Sequence, residues 1–158
     1  QDLNSAMQNS VNWYFQAIDS QLGINRVQEF LNKIEYGNQT TSSNLDLYWS
    51  DFSLKISPLE QVTLLKKFNT NEFHLNFQNV FSVKNAIKIA STPNGNFYGK
   101  TGTGRVNGQD INGWFIGYVE TSDNSYYFAT NIQSDSNATG KKAFEITSDI
   151  LKKLHIWN

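Results

Sequence analysis

The hydrophobic positions of the chain change their period near the middle of the sequence. In the first half, apolar residues recur every three or four positions, which is the spacing of one helix face. Residues 3–22 form such a run, which Gly23 ends, and the polar residues around Ser10 fit either a continuous or a broken helix. A second helix is predicted to begin with a capping box formed by Asn25 and Gln28.

The middle of the chain combines a loop with two further helices. Residues 39–45 contain Thr, Ser and Asn without an apolar period, which is typical of a surface loop. The Ser-Pro-Leu-Glu sequence at residues 57–60 supplies an N-cap hydroxyl, a proline at the first helical position and a capping glutamate, so a helix starts there. Residues 77–87 predict another helix, whereas residues 88–92 fit a helix or a strand equally well.

In the second half of the chain the pattern becomes that of β-strands. Residues 96–104 and 114–120 are two predicted strands, joined through the Asn-Gly pair at residues 107–108, which is typical of a tight hairpin. Residues 126–132 follow as a third strand, and residues 140–154 as a closing helix. The predicted fold is therefore α+β, with a three-stranded antiparallel sheet flanked by helices in a single domain.

Composition and charge narrow the class of protein. The 158 residues suit one domain, and a net charge of -1 lacks the basic excess of a nucleic-acid-binding surface, so no nucleic acid partner is expected. No apolar run approaches the roughly 20 residues that would span a membrane. The chain has no cysteine, and His74 and His155 lack partners at metal-ligand spacing. We therefore expect neither a metal nor another cofactor.

One predicted strand carries residues suited to binding an anion. Lys100 supplies a positive charge, Thr101 and Thr103 supply hydroxyl groups, and Gly102 lets a ligand approach without meeting a Cβ. The same residues also fit a polar edge strand whose lysine discourages aggregation. Taken alone, the Lys-Thr-Gly sequence leaves both interpretations open.

A second short motif, Ser10-Val11-Asn12, precedes this strand in the chain order expected for the serine motif that accompanies Lys-Thr-Gly. Ser10 can relay a proton, and the Asn12 amide can hold a substrate carbonyl. The alternative is that Ser10 is a helix N-cap and Asn12 a solvated helix residue.

Together with the Tyr-Gly-Asn sequence at residues 36–38 and with Trp49, these motifs resemble those of the serine penicillin-recognising proteins, in the class D (OXA-type) β-lactamase branch. Residues 10–15, 98–104 and 112–118 look closest to the extracellular sensor domains of the BlaR/MecR β-lactam receptors. The resemblance implies a β-lactamase/transpeptidase-like fold that binds β-lactam antibiotics.

The resemblance runs over residues 3–154 but corresponds only to the later part of the family's domain. No Ser of the chain is followed by Lys three positions later, so the S-x-x-K nucleophile motif and the first strands are expected outside this chain. The chain alone is accordingly expected to be inactive. Enzymes of the branch usually carry S-x-V where this chain ends the motif with Asn12, which favours a sensor.

The resemblance also implies a role for each matching residue. Ser10 and Lys100 would be catalytic residues. Thr101 and Thr103 would contact the β-lactam carboxylate, and the Thr103 backbone N–H would form half of an oxyanion hole. The remaining substrate-binding residues would be Asn12, Trp49, Gly102 and Lys141.

Some of these residues have a second interpretation. Trp49 matches a tryptophan that, in this branch, hydrogen-bonds a carbamylated active-site lysine, and it fits an aromatic core anchor equally well. Lys141 also fits a solvated lysine of a first helical turn. Residues 36–38 would support the site structurally.

Three functions remain open on the sequence. The first is a sensor on the extracellular face of the cell membrane, which is acylated by penicillins and passes a signal to a membrane-bound protease domain. The second is a secreted class D β-lactamase. The third is a non-catalytic fragment that needs a partner segment or chain carrying S-x-x-K, because residues 126–132 would otherwise form an exposed apolar edge.

Overall fold

The computed structural model describes residues 1–41, 45, 48–50 and 52–157. The chain divides into two compact units, Gln1–Ala86 and Ile87–Asn158. In the described residues the first unit is helical, and the second combines an antiparallel sheet with one helix. The predicted α+β class is confirmed.

The first unit contains helices where the apolar spacing predicts them. Their bounds are Leu3–Gln8 for α1, Asn12–Leu22 for α2, Ile24–Lys33 for α3, Pro58–Asn69 for α4 and Phe77–Ala86 for α5. The break between α1 and α2 falls at Ser10, whose φ of 50° lies outside the helical region. The Ser57 side chain accepts a hydrogen bond from the Glu60 N–H, and the Glu60 carboxylate accepts one from the Ser57 N–H, as predicted for α4.

The capping box predicted at Asn25 and Gln28 is wrong. Helix α3 has Gly23 at its N-cap and no capping hydrogen bond from a side chain. The side chain of Gln28 instead bonds to residues more than ten positions further along the chain. A long-range contact therefore replaces the local one that the spacing suggests.

One buried cluster of the first unit lies between α3 and the segment that follows it. Val27, Leu31 and Tyr48 are buried. Half-buried side chains pack against these three, namely Tyr36, Leu45, Trp49 and Leu54. The described part of the predicted loop at residues 39–45 has no helix or strand, and residues 42–44 lie outside the described residues.

The second unit is built on a sheet with the strand order β1-β2-β3-β4, in which each neighbouring pair is antiparallel. The strands are Lys88–Thr92 (β1), Gly95–Val106 (β2), Gln109–Thr121 (β3) and Ser125–Gln133 (β4), and helix α6 spans Gly140–Lys153. The sheet thus has four strands where the sequence predicts three, because the ambiguous residues 88–92 pair with β2. Asn107 and Gly108 both have positive φ, which closes the predicted hairpin.

Helix α6 covers one face of this sheet. Phe97, Phe115 and Val119 point from neighbouring strands into a buried cluster with Ala143 and Leu151 of the helix. The rings of Phe97 and Phe115 meet edge to face, with centroids 6.0 Å apart. The strand predicted at residues 126–132 lies at an edge of the sheet, since β4 is last in the strand order and β1 is first. Most residues of β4 are half-buried.

The strands approach each other closely at glycine positions. A Cβ on Gly117 would overlap the carbonyl oxygen of Tyr98 and come within 2.8 Å of the Gly99 Cα. Both are backbone atoms of β2, so neither can move aside without shifting the strand. At Gly102 the nearest atom to an added Cβ is the Trp114 Cβ at 3.8 Å, which is ordinary van der Waals contact.

We expect Gly117→Ala to lower the free energy of unfolding by about 2 kcal/mol or more, because the added methyl group forces β2 and β3 apart. The matched substitution Gly102→Ala, on the facing strand, should change it by less than about 1 kcal/mol. Urea denaturation of the two variants measures the difference. Equal stabilities would contradict this account of the sheet.

Candidate functional site

Strand β2 divides the Lys-Thr-Gly residues between the two faces of the sheet. Successive residues of a strand point to opposite faces. Thr101 lies on the face that α6 covers, since its Cβ is within 3.0 Å of a Cβ added at Gly140. Lys100 and Gly102 therefore belong to the opposite face, where Gly102 pairs with Trp114 of β3.

The first residue of α6 packs directly on this strand. The Gly140 N–H donates a hydrogen bond of 2.9 Å to the Thr103 hydroxyl oxygen. A Cβ at Gly140 would come within 2.6 Å of the Gly102 carbonyl oxygen, so only glycine fits there. Thr139 caps the helix by accepting from the Lys142 N–H. The positive end of the helix dipole thus lies against β2, where it favours an anion.

Thr103 is oriented by this contact. Its oxygen accepts the N–H of Gly140, which leaves the hydroxyl proton available for donation to another acceptor. Thr101 and Thr103 are both exposed on the strand. Two hydroxyl donors and a helix N-terminus are therefore brought together in the second unit, as a carboxylate-binding strand requires.

Lys100 is half-buried, and its ammonium group donates a hydrogen bond of 2.8 Å to the Thr101 carbonyl oxygen. Burial lowers the pKa of Lys100 below the ordinary value of a lysine. Because a partly desolvated cation attracts an anion more strongly than a solvated one, Lys100 is suited to holding a negatively charged ligand.

Lys141 lies in the first turn of α6, one residue after the contact with β2. Its side chain is 84% exposed, and its ammonium group lies 3.9 Å from the Glu145 carboxylate. This is the environment of a solvated lysine, so its predicted role toward a ligand stays a prediction.

In the first unit, Ser10 and Asn12 stand at the junction of two helices. Val11, rather than Ser10, occupies the N-cap of α2, and Asn12 is the first residue of that helix. The interpretation of Ser10 as an N-cap is therefore wrong. Its positive φ is uncommon for a serine, and such conformations concentrate at functional sites. Both residues are exposed.

Trp49 packs beside the buried cluster of the first unit, as an aromatic anchor would. Its predicted role toward a lysine stays a prediction. The preceding Tyr-Gly-Asn sequence is fixed by backbone contacts, because a Cβ on Gly37 would overlap the Lys55 carbonyl oxygen. Asn38 accepts the Lys55 N–H at 2.9 Å and donates to the Ser53 carbonyl at 2.7 Å.

The sequence did not predict what holds strand β2 in place. Gly113 packs so closely on Thr139 that a Cβ would overlap the Thr139 carbonyl oxygen, which adds a second contact between the sheet and the start of α6. Tyr98 stacks on Tyr118 with centroids 4.6 Å apart, and burial together with Glu120 raises the pKa of Tyr98 to about 12. In the sequence, a threonine suited to an N-cap followed by a glycine, Thr139-Gly140, was the feature that could have indicated this close contact.

The described residues contain neither a group of metal ligands nor a helix suited to crossing a membrane. Across residues 1–41, 45, 48–50 and 52–157, no three His, Cys, Asp or Glu side chains form a group that could hold a metal ion. Within the same ranges, no helix has both the length and the apolar character needed to cross a membrane. His74 and His155 are exposed.

Known proteins resemble this chain along nearly all of its length. It is 48% identical over 157 residues to the regulatory protein BlaR1 of Bacillus licheniformis, and the aligned region covers 99% of this chain and 26% of that protein. It is 44% identical over 156 residues to the methicillin resistance protein mecR1 of Staphylococcus aureus, with the same coverage. The chain thus spans about a quarter of the length of these relatives.

Solved structures give the same result. The C-terminal domain of the Bacillus licheniformis BlaR penicillin-receptor matches with a TM-score of 0.95 and 47% identity, covering 100% of this chain and 64% of that structure. A class D β-lactamase from Bacillus subtilis matches with a TM-score of 0.90 and 37% identity, covering 98% and 63%. The resemblance to BlaR/MecR and to the class D branch is therefore confirmed.

The family model extends over most of both units. Residues 1–152 match the penicillin binding protein transpeptidase domain, and this range includes every site residue predicted from the sequence. Since the match covers well over half of the chain, the chain belongs to the penicillin-binding protein transpeptidase domain family.

Proposed function

We propose that residues 1–158 are the later part of a single β-lactam-binding sensor domain, which penicillins acylate at a serine outside this chain. The observation that carries the proposal is the 44% to 48% identity to mecR1 and BlaR1 over 99% of the chain. In this proposal the parent protein is anchored in the membrane, the domain faces the outside of the cell, and binding induces antibiotic resistance.

The strand of the second unit would bind the carboxylate that β-lactams carry. The hydroxyls of Thr101 and Thr103 would donate hydrogen bonds on the face that α6 covers, and the Lys100 ammonium group, on the opposite face of the same strand, would add positive charge. The orientation of Thr103 by the Gly140 N–H supports this role, because its proton is left for the ligand. The Thr103 backbone N–H would polarise the β-lactam carbonyl, which Gly102 leaves accessible.

The first unit would contribute the proton relay. Ser10 would pass a proton to or from the leaving nitrogen, and the Asn12 amide would hold a carbonyl of the ligand's side chain. The left-handed conformation of Ser10 supports a functional rather than a capping role. Trp49 and Lys141 would be further ligand-site residues, the first through the acylated centre and the second through the carboxylate.

A class D β-lactamase is the second candidate. The class D structure from Bacillus subtilis, with its TM-score of 0.90, favours it almost as strongly as the receptor structure favours a sensor. The two functions share the acylation step and differ in the hydrolysis of the acyl group. Asn12 of the serine motif supports the sensor.

Strand β4 and helix α6 would receive the part of the domain that carries S-x-x-K. Strand β4 is the last strand in the order of the described sheet, where it pairs with β3, so its other side is the place at which a further strand would add. Three apolar residues four positions apart are exposed, namely Ile146 at 42% and Ile150 at 48% on α6, and Leu154 at 61% at its C-cap. Thr147, beside this stripe, is hydrogen-bonded to Thr130 of β4, so the stripe and the strand edge suit one partner segment.

We expect the full-length protein to form a stable covalent adduct with a fluorescent penicillin and to hydrolyse nitrocefin for only about one turnover, because a sensor retains its acyl group. Gel fluorescence and the amplitude of the nitrocefin burst measure the two properties. Continuous nitrocefin hydrolysis would instead identify a β-lactamase. The absence of any adduct would rule out both functions.

Lys100→Ala should slow formation of the penicillin adduct in the full-length protein by at least about 100-fold, because a preorganised cation is lost. The matched variant Lys142→Ala removes an exposed lysine of α6 and should leave the rate unchanged. Stopped-flow labelling gives the rates, and circular dichroism checks the fold. An unchanged rate in Lys100→Ala would contradict the proposed role.

The same residue predicts a pH dependence. Burial lowers the pKa of Lys100. As the pH rises, Lys100 therefore loses its positive charge at a lower pH than an ordinary lysine, whose pKa is near 10.4. Adduct formation by the wild-type protein should therefore fall on the alkaline side. Lys100→Arg keeps its charge, so any rate it retains should lack this decline.

The isolated chain should associate, either with a segment carrying S-x-x-K or with a second copy, because the β4 edge and the α6 stripe are open. Ile150→Lys should weaken association by introducing a charge into the stripe. Asp149→Lys, on the neighbouring exposed position, is the control. Light scattering at high concentration measures the mass, and a monodisperse wild-type monomer that also ignores the added segment would contradict the prediction.

A further inference from the structure

The dipeptide Asn-Gly occurs in the second unit at residues 94–95, 107–108 and 112–113. Asparagine is a chemically labile residue, and its conversion to an acid begins when the next backbone nitrogen attacks its side-chain carbonyl carbon. A glycine in the next position favours this attack, because without a Cβ it lets the backbone fold back onto the side chain. The dipeptide is the same at all three places, so differences in reactivity between them come from the structure.

At the first pair, the nitrogen that would attack is held in a turn. Thr92 and Gly95 lie opposite each other in the register of β1 and β2, so residues 92–95 form a four-residue turn. The fourth residue of such a turn, here Gly95, is the donor position of the turn hydrogen bond. Gly95 also packs so closely on β3 that an added Cβ would overlap the Glu120 carbonyl oxygen. Attack on Asn94 therefore requires both contacts to open.

The third pair lies inside strand β3. The Asn112 side-chain oxygen accepts a hydrogen bond of 2.6 Å from the Asn131 amide, which holds the carbonyl group that would be attacked. Gly113 is buried, and it pairs with Thr103 of β2 on one side and with Ile132 of β4 on the other. Reaction at Asn112 therefore requires the middle of the sheet to open.

The second pair lies in an open turn. Val106 and Gln109 are opposite each other in β2 and β3, so Asn107 and Gly108 are the two central residues of the turn. The turn hydrogen bond joins the first and fourth residues and does not use the Gly108 N–H. A Cβ added at Gly108 would meet no atom of the described residues within 4 Å. Residues 105–109 are all exposed, so the Asn107 side chain has room to reach the Gly108 nitrogen.

The tip that carries this turn is separated from the rest of the ladder. The register of β2 and β3 shifts between Gly104 and Arg105, where β3 has one residue more than β2. Beyond the shift, the Arg105 Nε donates a hydrogen bond of 2.7 Å to the Asp110 carboxylate, and the Arg105 side chain is 65% exposed. An exposed end of a ladder opens at a lower free energy than a buried strand does. Such opening gives Asn107 the freedom that the attack needs.

We propose that Asn107 is a site of spontaneous covalent modification. The Gly108 nitrogen, after losing its proton to solvent base, bonds to the side-chain carbonyl carbon of Asn107. The bond from that carbon to the amide nitrogen breaks, and ammonia leaves. Water then opens the cyclic imide at either of its carbonyl groups, which gives an aspartate or an isoaspartate. Water is the only co-reactant, and no atom is oxidised or reduced.

Either product changes the end of the hairpin. A new carboxylate at position 107 lies two residues from Arg105 and competes with Asp110 for the guanidinium group. The isoaspartate also routes the main chain through the former side chain, and a two-residue turn does not accommodate the added methylene group. Thr103 lies on the other side of the register shift and is held by the Gly140 N–H, so the change stays at the tip. This chemistry is independent of the proposed function.

The test follows the three Asn-Gly pairs in the full-length protein at mildly alkaline pH. Peptide mapping by mass spectrometry distinguishes the acid from the amide at each asparagine. In the folded protein we expect Asn107 to convert at least about tenfold faster than Asn94 or Asn112, because its turn is open while the sheet is intact. In urea the three rates should lie within about threefold of one another, because the fold no longer distinguishes the pairs.

Gly108→Ala tests which nitrogen attacks. The added methyl group hinders the approach of the two reacting atoms, so conversion of Asn107 should slow by at least about tenfold. Asn94 and Asn112 serve as internal controls and should keep their rates. The positive φ of Gly108 is unfavourable for alanine, so the hairpin of this variant is strained. The slowing should therefore also be measured in urea, where the hairpin has no effect and the slowing should persist.

Three results would overturn the inference. Equal rates at the three asparagines of the folded protein would show that the open turn confers no reactivity. Conversion of Asn107 in urea but not in the folded protein would show that the turn protects it. Unchanged conversion in Gly108→Ala, both folded and in urea, would exclude attack by the Gly108 nitrogen.

Discussion

The close contact between Gly140 and strand β2 is the constraint on which the candidate ligand-binding strand depends. No side chain separates the start of α6 from the strand, since even a Cβ would come within 2.6 Å of the Gly102 carbonyl oxygen. The helix dipole is strongest at its first turn and falls off quickly with distance. Backbone contact therefore delivers to Thr101 and Thr103 a field that a larger residue at position 140 would hold at a distance.

Close packing at glycine positions also occurs elsewhere in the second unit. The ring of Phe115 fills the room above Gly99, where a Cβ would come within 2.6 Å of it, and Gly117 lets the backbones of β2 and β3 meet. Large aromatic rings on one strand thus pack against glycines on the neighbouring strand. A strand held on both sides in this way keeps its hydroxyl donors in place, which would reduce the free-energy cost of ordering them if the strand binds the proposed ligand.

Local patterns predicted those elements whose stabilising contacts are local. The capping residues of α4 lie within four positions of each other, and the hairpin turn needs only the Asn-Gly pair. Strand β1 remained ambiguous because it is short and mostly exposed, and its conformation is set by pairing with β2. The capping box at Gln28 failed for the same reason, since bonds to residues 39 and 41 use the side chain instead.

In the candidate site, too, residues of a contiguous motif were predictable from the sequence, whereas long-range partners were not. Lys100 and its neighbours were predicted because the motif is contiguous, whereas the partner that orients Thr103 lies 37 residues away along the chain. Receptor and hydrolase share such motifs and nearly the same fold, with TM-scores of 0.95 and 0.90 to this chain. Each tenfold change in the lifetime of an acyl group corresponds to only about 1.4 kcal/mol in its barrier to hydrolysis. A few hydrogen bonds are worth a difference of that size, so a receptor and a hydrolase can differ in the positioning of side chains while they share one fold.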